Sequence, residues 1–154
     1  MKYLVFDMDG TIADLYGVDN WLDKLRAEDA SPYMVAEPLV DMDKFLDTLY
    51  ELQQLHDYKI VINSWLSKDS TAEYDELVRD AKLGWLALQD FDFADHIHII
   101  KYGTTKAKPM SKYFKKGDTA ILFDDNAKVR KGWTLGDTVD PTVTDIIEYL
   151  IGLL

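Results

Sequence analysis

Two pairs of carboxylates, far apart in the chain, carry the strongest chemical signal. Phe6-Asp7-Met8-Asp9-Gly10-Thr11 places two acids one residue apart directly after a short apolar run, with a glycine behind them. An extended chain repeats every two residues, so Asp7 and Asp9 can aim to one side, and Gly10 lets the backbone turn and approach a ligand closely. Asp-Gly is also a common turn pair, and the acids could merely cap it. Ile121-Leu122-Phe123-Asp124-Asp125-Asn126 repeats the pattern late in the chain. Between them, Ile60-Val61-Ile62-Asn63-Ser64 ends an apolar run in a hydroxyl. Ser64 could donate a hydrogen bond to a phosphoryl oxygen, although serine in that place is more often a turn or helix cap. Cations follow in Lys101-Tyr102-Gly103-Thr104-Thr105-Lys106-Ala107-Lys108-Pro109. Lys106 is the first choice to face the acids, because Gly103 and the two threonines make a loop able to turn it inward. Lys101 and Lys108 are rivals, and a solvated surface role is as good a reading for any one of them.

The elements needed to position these groups are legible as pattern. Runs at 3–6, 59–63, 96–100 and 119–123 are short and rich in Val, Ile and aromatics, which predicts strands. Over 41–56, Met42, Phe45, Leu46, Leu49, Leu52 and Leu55 recur at three- and four-residue steps, one stripe of an amphipathic helix. Over 70–89 a capping box of Ser70 with Glu73 opens a second helix that continues through Leu77, Val78, Ala81, Trp85 and Leu88. Val143, Ile146, Ile147, Leu150 and Ile151 mark a last helix after Pro141. Strands alternating with helices imply an α/β fold, a Rossmann-like three-layer sandwich around a central parallel sheet, as a single domain over 1–154. Residues 12–40, with a short helix at 18–28 and breaks at Ser31-Pro32 and Glu37-Pro38, read as a small insertion near the end of the first strand.

If the strands ending in Asp7 and Asp124 lie side by side, the four carboxylates Asp7, Asp9, Asp124 and Asp125 meet at one edge of the sheet, where open α/β sheets bind ligands. Two bare carboxylates about 5 Å apart repel by roughly 3 kcal/mol at an effective dielectric near 20. Several such pairs would consume much of a domain stability of about 5–15 kcal/mol. A proton or a divalent cation must relieve them, and ligands made only of oxygen point to Mg²⁺.

Composition bounds the rest. With 28 acidic and 17 basic residues the formal charge is -11, which counts against nucleic acid and anionic lipid as partners unless a basic patch is segregated. The basic residues between Lys101 and Lys116, with Lys128, Arg130 and Lys131, could form such a rim around an anionic substrate or be solvated faces. There is no cysteine, so disulfides and thiolate metal sites are excluded. No signal peptide or membrane-spanning run is visible, and a cytoplasmic location with no membrane partner is expected.

The order of these features, apolar strand and Asp-Met-Asp-Gly-Thr, apolar strand and Ser, a following Lys, then apolar strand and Asp-Asp, resembles the four motifs of the haloacid dehalogenase (HAD) superfamily across nearly the whole chain. The resemblance implies a Mg²⁺-dependent phosphomonoester hydrolase. Asp7 would be the nucleophile that becomes an aspartyl-phosphate, and Asp9 the general acid/base. Ser64 and Lys106 would hold the phosphoryl group. Mg²⁺ would be bound by the Asp7 carboxylate, the Asp9 backbone carbonyl and Asp124, with Asp125 in or just behind that shell. Gly10, Thr11 and Trp65 would border the substrate. Trp65 departs from the small residue usual after the motif serine, and the short insertion implies a small or absent cap.

Among relatives the chain looks most like small 5′-nucleotidase-like phosphatases, and Tyr16, Trp21, Tyr33 and Trp65 fall where a base could stack, unless they fill the insertion's own core. A nucleoside 5′-monophosphate is the leading substrate class, with a small sugar phosphate or a polynucleotide 3′-phosphate as alternatives; the acidic charge counts against the last. A phosphoacceptor signalling domain has a different motif order, whereas a non-catalytic module binding Mg²⁺ and phosphate would keep the same acids. His96 and His98 share a strand face and could chelate a metal, but read better as its polar edge.

Overall fold

The apolar runs fold as the alternation predicts. The computed structural model describes residues 1–91 and 93–154. The chain opens with β1 (Lys2–Phe6), then β2 (Ala13–Asp14), a 3-10 turn at Leu15–Gly17, and two short helices, α1 (Trp21–Arg26) and α2 (Ser31–Val35), before β3 (Glu37–Pro38). It continues through α3 (Met42–His56), β4 (Tyr58–Trp65), α4 (Ala72–Leu88), β5 (His96–Ile100) and a second 3-10 turn at Lys108–Lys112. β6 (Thr119–Phe123), α5 (Ala127–Lys131), β7 (Thr138–Val139) and α6 (Ile146–Ile151) complete it. β5-β4-β1-β6-β7 form one five-stranded sheet, every pair parallel, flanked by helices; β2 and β3 pair antiparallel as a separate ribbon.

A central parallel strand is buried on both faces, so its residues can all be apolar. In β1, Leu4 and Phe6 face one layer with Ile60, Ile62, Phe45, Leu49 and Leu150, under α3 and α6. Tyr3 and Val5 face the other, with Val61, Leu122, Met110 and Trp133, under the second 3-10 turn and the α5 region. Phe6 stacks on Phe123 at 4.6 Å and meets Phe45 edge-on at 5.1 Å, directly beneath the acidic strand ends. No helix among the described residues is long and apolar enough to cross a membrane.

Several boundaries differ from the sequence reading. β4 runs on through Ser64 to Trp65, and the predicted helix over 18–28 is confined to α1. α4 is capped by Thr71, whose hydroxyl accepts from Tyr74 N, rather than by Ser70, which turns to the Ser67 carbonyl and Asp75. Adjacent hydroxyls offer two cap registers, and the chain takes the later one. The apolar stripes are narrower than their periodicity: Leu55, Leu77 and Leu88 lie on solvated faces, as does Val143 before α6, which starts at its Asp145 cap. β7, unannounced by any apolar run, exists through pairing with β6, where Gly136 packs so close to Ala120 that a Cβ would strike its backbone.

The insertion over 12–40 holds β2, β3 and both short helices, and it is tied to α4. Tyr74 Oη donates to Asp29 O at 2.9 Å, Thr71 Oγ1 to Glu28 Oε1 at 2.8 Å and Trp85 Nε1 to Ala36 O at 2.8 Å. Leu15 and Tyr33 pack with Val78 and Ala81 beneath these bonds.

Because Phe45 supports Phe6 from below with no exposure to solvent, Phe45→Ala should cost about 3–5 kcal/mol, read as a lower midpoint in denaturant unfolding. A loss under about 1 kcal/mol would show that this layer does not carry the fold.

Candidate active site

Register gathers the acids. Phe6 pairs with Ile62 on one side and Phe123 on the other, so the next residue of each strand, Asp7, Asn63 and Asp124, stands level at the carboxyl edge. Asp7 N donates to Phe123 O at 3.0 Å, carrying the ladder one bond further. The chain then turns tightly, with the N–H groups of Thr11, Ile12 and Ala13 all donating to Met8 O at 2.9–3.1 Å. Gly10 sits in this turn at φ 80°. A Cβ there would collide with the Asp125 carboxylate and the Tyr16 ring, so the glycine is required both by conformation and by space.

Asp7, Asp124 and Asp125 each offer a carboxylate oxygen within 4.8 Å of the others. Asp124 Oδ1 accepts from Asn126 N at 2.9 Å, and Arg130 Nη1 donates to the Asp124 carbonyl at 2.9 Å, so this residue is held from both ends. Its Oδ2 is buried and has no hydrogen-bond partner among the described residues. Buried polar atoms are rarely left so. A buried carboxylate oxygen without a hydrogen bond, clustered with two further carboxylates, suits a hard divalent cation that binds oxygen. Burial, reinforced by the charge of Asp7, pushes the carboxyls of Asp124 and Asp125 up to about 7.

Two buried lysines answer the remaining charge. Lys106, 4 % exposed, donates to Asp7 Oδ1 at 3.1 Å and to Asn63 O at 2.5 Å, and lies 3.4 Å from Asp124 Oδ2. Burial alone would lower its pKa, but Asp7 and Asp124 outweigh this and raise it. Asn63 Nδ2 donates back to Lys106 O at 2.7 Å and fixes the loop. Lys101 and Lys108 are exposed, so the geometry selects Lys106 from the three candidates.

The second lysine, Lys82 on α4, escaped the sequence reading. Its Nζ donates to Asp9 Oδ2 at 2.7 Å, Ser64 Oγ at 2.7 Å and Trp65 O at 2.6 Å. A lysine four residues after Val78 and three before Trp85, inside the apolar stripe of a helix, was the available signal. The Asp9 carboxylate therefore faces Lys82 and stands outside the Asp7–Asp124–Asp125 trio. Burial raises its pKa, against Lys82, which lowers it, and with Asp7, which raises it. With all four carboxyls ionised, the two ammonium groups leave two negative charges, which one divalent cation would balance.

Asp7, Asp9, Lys106, Asp124 and Asp125 line an open cleft of about 840 Å³, with Tyr16, Trp21, Tyr33 and Trp65 in its walls. These aromatics serve the packing as well. Tyr16 meets Trp21 edge-on at 5.0 Å, Trp65 leans on Tyr102 at 4.8 Å while its Nε1 donates to Thr104 O at 2.8 Å, and Tyr33 bonds Ser67 through its hydroxyl. Of the other expected site residues, Ser64 is fully buried on Lys82. Thr11 donates to Asp7 Oδ2 at 3.3 Å, and Gly10 and Thr11 line a separate hollow to which none of the four acids contributes. His96 and His98 stack with Tyr113, and His98 Nε2 and Tyr113 Oη share a 2.8 Å hydrogen bond; neither joins a metal-competent cluster among the described residues.

No protein-family model matches the chain, and no curated protein matches it.

The raised carboxyls set a sign for stability without metal. An acid whose folded-state pKa lies above its unfolded value favours folding below about pH 4 and loses that contribution as pH climbs through about 7. In chelator, Asp124→Asn should therefore melt above wild type at pH 8 and lose that advantage at pH 4; an unchanged ordering across this range would refute the crowding. Gly10→Ala should destabilise by on the order of 1–3 kcal/mol, measurable by thermal unfolding.

Proposed function

We propose that the chain is a magnesium-dependent phosphomonoesterase of the HAD type, with Asp7 as nucleophile. The observation that carries this reading is the split of one acidic cluster between two partners. Asp7, Asp124 and Asp125 converge as an oxygen site beside Lys106, while Asp9 stands apart on its own lysine. A nucleophile and a proton carrier need such different surroundings.

The Asp7 and Asp124 carboxylates and the Asp9 backbone carbonyl, with Asp125 in or just behind the shell, would hold Mg²⁺, which when bound would supply positive charge for the phosphoryl oxygens. Lys106 supplies fixed positive charge against the same oxygens and, with Thr11 at Oδ2, orients the Asp7 carboxylate. In the first half-reaction an Asp7 oxygen bonds to phosphorus, the ester P–O bond breaks, and the leaving oxygen takes a proton from Asp9. In the second, Asp9 takes a proton from water as that water bonds to phosphorus. The bond to Asp7 then breaks and inorganic phosphate departs. Asp9 is worth about 10²–10⁴-fold in this role.

The aromatic walls favour a substrate with a ring system, and a nucleoside 5′-monophosphate fits a cleft of this size. The net charge of -11 favours the mononucleotide over a polynucleotide end. A chain without cysteine suits the cytoplasm.

Hydrolysis of p-nitrophenyl phosphate with Mg²⁺ should be abolished by EDTA and reduced roughly 10³-fold or more by Asp7→Asn. Beryllium fluoride with Mg²⁺ should raise the melting temperature of wild type but not of Asp7→Asn. Stabilisation without turnover of any phosphomonoester would mark a binding module instead, and the absence of both would sink the reading. A 5′-mononucleotide should be preferred to a 3′-phosphorylated oligonucleotide in direct competition.

A further inference from the structure

Lys82 interrupts a buried helix face. Tyr74, Val78, Ala81 and Trp85 share that face of α4 and are buried, and Lys82 among them is 0 % exposed. Taking an ammonium out of water is costly, and a well-packed apolar side chain in such a place is often neutral or stabilising. Packing therefore does not account for the lysine; its contacts must.

An ammonium has three donors and no acceptor. Those of Lys82 are spent on Asp9 Oδ2, Ser64 Oγ and the Trp65 carbonyl, at 2.6–2.7 Å. The Tyr33 ring covers it at 4.9 Å. No donor remains for a phosphate, and Lys82 is absent from the cleft wall. Its influence on chemistry passes through the groups it holds. With the ammonium bonded to Oδ2, a proton is favoured on Oδ1, which is then the oxygen of Asp9 to exchange protons in the cleft. Ser64, accepting from a group that can only donate, must point its own proton away from Lys82.

We propose that Lys82 is a positioning residue, gripping Asp9 and Ser64 from one buried ammonium so that the Asp9 carboxylate presents Oδ1 to the leaving-group oxygen. The inference rests on the assignment of Asp9 as acid/base. Its consequence is selective: the residue matters in proportion to how much the departing oxygen needs a proton. Dinitrophenolate leaves without one, whereas an alkoxide cannot.

The test is single-turnover release of the leaving group, enzyme in excess, from 2,4-dinitrophenyl phosphate and from a nucleoside 5′-monophosphate. Lys82→Met should slow the nucleotide on the order of 10²-fold and the dinitrophenyl ester less than a tenth as much. On the nucleotide, the double variant Asp9→Asn/Lys82→Met should be no slower than Asp9→Asn alone. Equal losses on both esters in a variant that melts like wild type, or losses that multiply in the double variant, would reduce Lys82 to a structural role and overturn the proposal. Should Lys82→Met fail to fold, the double variant, which removes both charges of the pair together, carries the comparison with Asp9→Asn. Wild type inactive on both esters would remove the acid/base assignment itself, an outcome distinct from equal losses in an active enzyme.

Discussion

Parallel pairing leaves a strand little choice about what stands beside it. Once Phe6 is bonded between Ile62 and Phe123, the residues that follow in three strands must share one small volume at the edge of the sheet. Here they are Asp7, Asn63 and Asp124. Two carboxylates and an amide brought together on apolar strands would be a local fault in a domain with only about 5–15 kcal/mol to lose. The surroundings read as responses to that crowding. Lys106 lies against both acids, Asn126 and Arg130 hold Asp124, and Thr11 backs Asp7. The aromatic layer of Phe6, Phe45 and Phe123 below keeps the strand ends from spreading. One oxygen, Oδ2 of Asp124, has the Lys106 ammonium at 3.4 Å but no hydrogen bond among the described residues, and it marks where a cation is called for.

The two lysines divide the acids into compartments. Lys106 arrives on the loop after β5 and serves the edge formed by β1 and β6. Lys82 arrives on α4 and serves Asp9, which has already turned away from the strand. Since the ammonium groups come from different elements, each carboxylate has its own bonded cation, although the charge of Asp7 is still felt at Asp9. That separation is what allows one short motif to hold a nucleophile and a proton carrier under the proposed chemistry.

How much of this was legible depended on whether the signal was local. The strands over β1, β5 and β6 announce themselves in composition, and β1 and β6 run directly into acids, so the parallel α/β sheet and the meeting of Asp7 with Asp124 were readable in advance. Lys106 was readable because a glycine and two threonines precede it. Lys82 was not, because a helix lysine is ordinarily solvated, and only its place between Val78 and Trp85 on the buried face betrays it. Leu55, Leu77 and Leu88 misled for the related reason that periodicity defines a stripe but not how wide a neighbour covers it. β7 has two residues and no apolar run, and tertiary pairing alone makes it a strand.

The insertion is bolted to α4 through Asp29, Glu28 and Ala36, and Tyr33 from the same segment roofs Lys82. These anchors tie the rim to the main body of the fold. Under the proposed chemistry, admission would be a matter of girth and outline rather than of a closing motion, spent product would escape without waiting for a door, and bulk water would reach the bottom of the cleft at every stage.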